Sequence, residues 1–104
     1  MIEVEVIEEA FAAAADAEAK FRAQYGEPAY CGFAWVNIKP ATSKIAKVLK
    51  ERYGARASYR GGIDVWNPGR SSTQSMDIKE VGAMAFASVL QKHGIKAYAE
   101  SRAD

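Results

Sequence analysis

The chain has 104 residues, 49% of them hydrophobic, and 14 Lys and Arg against 13 Asp and Glu leave a net charge of +1. This length predicts one domain with a real core, and 26% charged residues exclude a disordered chain. A single Cys31 excludes an internal disulfide, and one Cys with one His cannot fill a tetrahedral zinc site, so we expect no metal and no cofactor. No apolar run approaches the length of a membrane span and no signal peptide opens the chain, which predicts a cytoplasmic location without membrane contact.

The charges are segregated along the chain. Residues 1–29 carry seven acids and two bases, residues 30–70 carry eight bases and two acids, and residues 71–104 carry four of each. Such an asymmetry is compatible with a segment that binds a polyanion. The favoured interpretation is that the acidic segment packs beside the basic segment and neutralises it.

The first predicted element is a long helix over roughly residues 7–25, within an acidic N-terminal segment of residues 1–28. Apolar residues recur there at helical spacing, and the segment from Ala10 to Ala19 is rich in alanine, which favours a helix. Gly26 and then Pro28 are expected to end it.

Hydrophobic periodicity and turn signals divide residues 29–104 into four strands and two further helices. The predicted order is a strand at 30–38, a helix capped by Thr42 or Ser43 and running to Tyr53, strands at 56–60 and 63–66 joined by a Gly61-Gly62 turn, a helix from Asp77 to His93 and a short strand at 95–99. The last helix is expected to begin with a capping box formed by Asp77 and Glu80. Its buried side is expected to be one stripe of apolar residues, Ile78, Val81, Met84, Ala85 and Val89.

This order, a helix followed by β-α-β-β-α-β, predicts an α+β fold in a single domain of residues 1–104. The core is expected to be a ferredoxin-like unit, with helices packed on a four-stranded antiparallel sheet.

Alternation along the strands predicts two chemically different faces of the sheet. One face collects small aliphatic residues suited to packing helices. The other, called the aromatic face below, collects Phe33, Trp35, Tyr59, Trp66 and Tyr98. Because soluble proteins rarely leave such a patch bare without use, something is expected to cover it. The first choice is the N-terminal helix, through Phe11, Phe21 and Tyr25; the alternatives are a second subunit and the bases of a nucleic acid.

Residues 31–38, CGFAWVNI, resemble the RNP1 segment of RNA-recognition motifs, which stack bases on aromatic side chains. The segment departs from that pattern at Cys31, where the motif is basic, and at Ile38, where it is aromatic. It also lies on the first strand of the unit, whereas that family places the motif on the third.

The loop at 67–76 combines hydroxyl groups, Gly69 and Arg70 just before a helix, a composition that could hold a phosphate or a carboxylate. The favoured alternative is a flexible capping loop that binds nothing. Cys31 is expected to be a small buried residue and His93 to end a helix, and Asp64 is the third residue that an enzyme could offer. We therefore predict no catalytic residue and no enzyme.

Residues 30–104 resemble a group of small proteins encoded in tailed-bacteriophage genomes, through the blocks YCGFAWVNIKP, GGIDVWNPG, QSMD and HGIKAYAESRAD. The resemblance implies an accessory protein in the bacterial cytoplasm and no particular activity. We predict that the protein acts by non-catalytic binding to a host or defence protein, or by self-association as a homodimer. The alternative is a nucleic-acid or nucleotide binder that uses the aromatic face and the basic residues of 39–70. Its candidate binding residues are Trp35, Tyr59, Arg60, Trp66, Arg70 and Tyr98.

Overall fold

The predicted order of elements is confirmed in the computed structural model, which describes all residues 1–104. The elements are α1 (Ile2–Tyr25), β1 (Gly32–Lys39), α2 (Lys44–Tyr53), β2 (Arg56–Ala57), β3 (Ile63–Trp66), α3 (Met76–Lys92) and β4 (Lys96–Ala103). The four strands form one antiparallel sheet in the spatial order β2-β3-β1-β4, and the helices pack on one of its faces. The α+β fold is thus confirmed. None of the helices is both long and apolar enough to cross a membrane.

The helix α1 begins at Ile2, five residues earlier than predicted. Its first turn carries Glu3 and Glu5, which the helix dipole favours, and the next turn buries Val6 and Ile7. The helix ends as predicted at Gly26, whose positive φ of 74° is a conformation that glycine adopts without strain.

The packing of α1 overturns the first choice of cover for the aromatic face. The apolar stripe of α1 joins the same core cluster as the aliphatic side of the sheet. Phe11 lies between α2 and α3, with its ring centroid 5.5 Å from that of Tyr53 and 4.9 Å from that of Phe86. At the far end of α1, Phe21 and Tyr25 pack against each other instead of on the sheet, and Tyr25 is exposed. The prediction that α1 covers the aromatic face is therefore wrong.

Two boundaries in the second half of the chain also differ from the prediction. The N-cap of α3 is Ser75, whose hydroxyl accepts from the Ile78 amide, so the predicted Asp77–Glu80 capping box is wrong. The buried stripe of α3 lies about one position away from the predicted one, with Phe86 at its centre and Met84 exposed. The strand β4 continues to Ala103 because it pairs with β1 along its whole length.

The acidic helix does not neutralise the basic segment by contact. Of the eight bases in residues 30–70, only Arg60 forms an ion pair, and its partner is Glu100 of β4. The ion pairs that join α1 to another helix link Glu9 to Lys92 and His93 of α3. The acidic helix does pack beside the basic segment, through Phe11 and Glu8 on Tyr53 of α2, but the predicted neutralisation by contact is wrong, and most of the basic side chains form no ion pair.

One acid of α1 is buried. Glu18 is 2% exposed, and its carboxylate lies against Gly69 of the loop and Gly82 of α3, where an added Cβ would overlap it. Neither carboxylate oxygen has a hydrogen-bond partner; the Ser71 hydroxyl is near but makes no bond of acceptable geometry. Burial raises the pKa of Glu18 above the ordinary glutamate value, and the nearby Ser71 hydroxyl and the charges of Arg22 and Lys79 offset part of the rise.

A raised native pKa means that the folded protein binds the Glu18 proton more tightly than the unfolded chain does. The contribution of Glu18 to the free energy of unfolding is therefore fully present below the pKa of glutamate in the unfolded chain, and it is lost as the pH rises through the pKa of Glu18 in the folded protein. We expect Glu18→Gln to be more stable than the parent at pH 7, by about 1–3 kcal/mol, because it removes an unpartnered buried charge. Urea unfolding from pH 4 to pH 8 measures this difference.

The matched control is Asp16→Asn, which removes an exposed carboxylate from the same helix. The gain of Glu18→Gln over the parent should shrink towards acidic pH, whereas Asp16→Asn should show no such trend. A gain of equal size at every pH contradicts the assignment to a buried charge.

Candidate functional site

The register of the central strands produces the aromatic face. Trp35 of β1 pairs with Trp66 of β3 on one side and with Glu100 of β4 on the other, so all three side chains project from the same face. Phe33 and Tyr98 occupy this face two residues away along β1 and β4 respectively. The neighbouring positions of β1, such as Val36, point into the helical core. The predicted division of the sheet into two faces is confirmed for the four aromatic residues that lie on strands.

The fifth aromatic residue, Tyr59, reaches the face from a loop and not from a strand. The predicted two-residue turn is wrong, because β2 is only Arg56–Ala57 and Arg56, not Tyr59, pairs with Asp64. Residues 58–62 form a five-residue loop in which the Ser58 amide donates to the Gly62 carbonyl. This loop leaves the Tyr59 side chain 92% exposed.

Asn37 holds that loop in place. Its side chain is buried at the centre of the sheet, and its amide nitrogen donates to the Gly61 carbonyl at 3.0 Å and to the Asp64 carboxylate at 2.9 Å. Gly62 lies so close to the Ile38 carbonyl that a Cβ would overlap it. The position of Tyr59 and Arg60 above the sheet therefore depends on a buried polar anchor and on a glycine.

The aromatic rings form a continuous cluster with an open outer side. The Trp66 ring centroid lies 4.6 Å from that of Trp35 and 6.4 Å from that of Phe33, so Trp66 joins the two β1 rings. Trp66 remains 48% exposed and Tyr98 52%. Lys79 of α3 reaches the Phe33 ring, with its Nζ 5.3 Å from the ring centroid, but no helix covers the exposed sides of Trp66 and Tyr98, which are free to contact a ligand.

A cleft of about 220 Å³ crosses this face between the 58–62 loop and β4. It brings together four of the predicted binding residues, Trp35, Tyr59, Arg60 and Trp66. Tyr98 lies on the same face outside the cleft. The prediction missed the β4 contribution to the wall, Glu100, Ser101 and Arg102, because the polar end of β4 reads as a tail; alternation continued beyond Ala99 was the one signal for it.

Cations surround the aromatic rings. The guanidinium carbon of Arg102 lies 5.5 Å from the Phe33 ring centroid, and that of Arg60 lies 5.6 Å from the Tyr59 ring centroid. On this side of the sheet five cationic residues face two carboxylates, a net charge of +3: Lys39, Arg56, Arg60, Lys96 and Arg102 against Asp64 and Glu100. The other bases of residues 39–70 mostly lie on α2 in the helical layer.

The sixth predicted residue, Arg70, lies apart from the others. It lines a second cleft, called the arginine cleft below, of about 230 Å³, whose walls are Phe11, Tyr53, Gly54, Ala55, Arg56, Val65, Trp66 and Arg70. Tyr53 donates its hydroxyl to Glu8 at 2.8 Å, and this hydrogen bond is the main reason that the pKa of Tyr53 is raised. Trp66 borders both clefts and connects them.

Several polar groups of the 67–76 loop form hydrogen bonds within the loop or to the first turn of α3. The Thr73 hydroxyl accepts from the Ser75 amide, the Ser75 hydroxyl caps α3, and the Asn67 amide donates to the Ser71 carbonyl. The loop also packs against the Glu18 carboxylate, which disfavours a second anion there. Of the loop residues that could bind an anion, Arg70 alone lines a cleft.

The three residues that an enzyme could offer lie in unrelated places. Cys31 is exposed just before β1, so the prediction of a buried cysteine is wrong. His93 caps the end of α3 as predicted, with Nε2 3.0 Å from a Glu9 carboxylate oxygen, and Asp64 accepts from Asn37. No group of three or more His, Cys, Asp and Glu side chains is placed to hold a metal ion. The absence of catalysis stays a prediction.

Comparison with family models, with curated proteins and with solved structures finds no match. The resemblance of residues 30–104 to phage-encoded proteins therefore stays a prediction as well.

The anchoring of the 58–62 loop leads to a prediction about its two glycines. Both have positive φ, 94° for Gly61 and 73° for Gly62, but a Cβ at Gly61 would meet only the end of the Lys39 side chain, at 3.7 Å. We expect Gly61→Ala to lower the free energy of unfolding by about 1–2 kcal/mol, the cost of an alanine with positive φ.

Gly62→Ala should lower the free energy of unfolding further than Gly61→Ala does, because the added Cβ also displaces the Ile38 backbone. Urea unfolding of the two variants side by side measures both losses. Equal losses would contradict the close approach of the loop to β1.

Proposed function

We propose that the aromatic face binds single-stranded nucleic acid by stacking bases on its rings. The observation that carries the proposal is an open sheet face on which Phe33, Trp35 and Trp66 form one cluster between exposed Tyr59 and Tyr98. Aromatic side chains on a four-stranded sheet are a recurring platform for unstacked bases, because every base offers a flat surface for stacking.

The charge around the rings supports a polyanionic ligand over an uncharged one. Arg102 and Arg60 lie beside Phe33 and Tyr59, where cations can contact phosphates while bases contact the rings. Of the two carboxylates, Glu100 is paired with Arg60 and Asp64 accepts from the Asn37 amide. The cations of Lys39, Arg56, Lys96 and Arg102 form no ion pair and are available to a ligand.

The first test compares two exposed tyrosines. Tyr59 lies on the aromatic face and Tyr25 at the end of α1, and neither is part of the core. We expect Tyr59→Ala to weaken binding of a ten-nucleotide oligothymidylate by roughly 5- to 150-fold, which corresponds to the loss of about 1–3 kcal/mol of base stacking. Tyr25→Ala should change the affinity little.

Tryptophan fluorescence is a suitable measurement because both tryptophans of the chain, Trp35 and Trp66, lie on the aromatic face. Base stacking on the face should quench their emission. The proposal fails if the oligonucleotide causes no quenching in low salt and does not bind by anisotropy either, or if Tyr25→Ala loses as much affinity as Tyr59→Ala.

A second test uses the salt dependence of binding. Each phosphate contact that a cation makes with a single strand contributes about 0.7 to the slope of log affinity against log salt concentration. We expect Arg102→Gln to reduce that slope by about 0.7, whereas Lys47→Gln, an exposed lysine of α2 in the helical layer, should leave it unchanged. Equal slopes for the parent and both variants would exclude a phosphate contact at Arg102.

Binding to a host or defence protein, or self-association, is the second candidate. One further observation favours it: β4 is an edge strand of eight residues whose outer side pairs with no other strand. Sedimentation of the protein alone at increasing concentration tests the self-association part of this candidate, which predicts a rising mass without any oligonucleotide. Either activity fits an accessory protein that a phage produces in the cytoplasm of its bacterial host.

A further inference from the structure

The arginine cleft carries two guanidinium groups without acidic partners. Arg56 enters it from β2 and Arg70 from the loop that precedes α3, and neither forms an ion pair or a side-chain hydrogen bond. Each guanidinium offers donors in a planar fork that matches two oxygens of a phosphate. The cleft therefore offers hydrogen-bond donors for an oxyanion, and no acidic side chain of the protein takes that place.

Arg70 is fixed in position before any ligand arrives. Its guanidinium carbon lies 3.8 Å from the ring centroid of Phe11, which is itself packed against Phe86 and Tyr53. The Arg70 backbone has a positive φ of 59°, and its amide donates to the Asn67 carbonyl at 2.9 Å. Stacking on Phe11 leaves the in-plane donors of the guanidinium free, so the group loses little freedom on binding an anion.

The position of the arginine cleft indicates the end of a strand. Trp66 borders both clefts, so a ligand stacked on the aromatic face is adjacent to the two arginines. On the inner side Phe11 of α1 and Tyr53 of α2 form the wall. A wall on this side suits a terminal phosphate better than a strand that continues.

We infer that the arginine cleft binds the terminal phosphomonoester of a strand whose bases lie on the aromatic face, an inference that rests on the proposed function. A terminal phosphate carries up to two negative charges at neutral pH, which match the two guanidinium groups. Two carboxylates are near, and neither lines the cleft: Glu8 accepts the Tyr53 hydroxyl, and Asp64, the cross-strand partner of Arg56, accepts from the Asn37 amide.

The experiment compares three forms of one ten-nucleotide oligothymidylate, with a 5′-phosphate, with a 3′-phosphate and with neither, each titrated against the full chain. We expect one phosphorylated form to bind about tenfold more tightly than the unphosphorylated form, the gain typical of a hydrogen bond to a charged group. Which end gains shows the direction in which the strand lies. The inference is overturned if all three forms bind equally while Tyr59→Ala still weakens them, a result that leaves the proposed function intact. Failure of every form to bind overturns both.

Variants locate the effect. Arg70→Gln should reduce the preference for the phosphorylated form and leave the affinity for the unphosphorylated form within about twofold, because Arg70 does not line the cleft on the aromatic face. Arg56→Gln should also reduce the preference, and it should weaken the unphosphorylated form as well, because Arg56 is one of the cations on the side of the aromatic face. Arg70→Lys keeps the charge but loses the planar fork, and it should lose most of the preference as well. The matched control is Arg52→Gln, an exposed arginine of α2 that does not line the arginine cleft. If Arg52→Gln reduces the preference as much as Arg70→Gln does, the effect is general attraction and the inference is wrong.

Discussion

The packing of α1 against α3 determines which surface of this protein is open. Small buried residues on both helices, Ala10 and Ala14 on α1 and Gly82 and Ala83 on α3, favour a close approach, and Phe11 meets the edge of Phe86. A helix with one apolar stripe can bury that stripe only once. Because α1 uses it in the helical layer, the sheet keeps one face without a cover.

The uncovered face is stabilised locally instead. Trp66 packs against Trp35 and Phe33, and this packing reduces the apolar area that the three rings expose to water. Asn37 lies at the centre of the same face and stabilises the 58–62 loop, because its buried amide donates a hydrogen bond to the Gly61 carbonyl. A buried polar group on a sheet face is costly unless it is bonded, and here its bonds fix the loop that carries Tyr59 and Arg60. The arrangement gives the face a rigid framework with exposed rings at its margin.

The elements and the two faces of the sheet were predictable because both follow from local periodicity. Three features were not, since each depends on a distant partner. The loop at 58–62 follows from Asn37, which lies 24 residues away from Gly61. The length of β4 follows from its pairing with β1, because residues 100–103 alone are as polar as a tail. Glu18 reads as one more surface acid, although its helical spacing from Phe11 and Ala14 places it on the buried stripe and was the one available signal.

The net charge of +1 conceals a protein with two electrically different sides. The acids of α1 lie on the helical side and pair mainly within α1 or with α3, so they do not cancel the cations around the aromatic face. For an approaching polyanion, the acidic helix then favours one orientation over the other, since repulsion on the helical side and attraction on the sheet side act in the same sense.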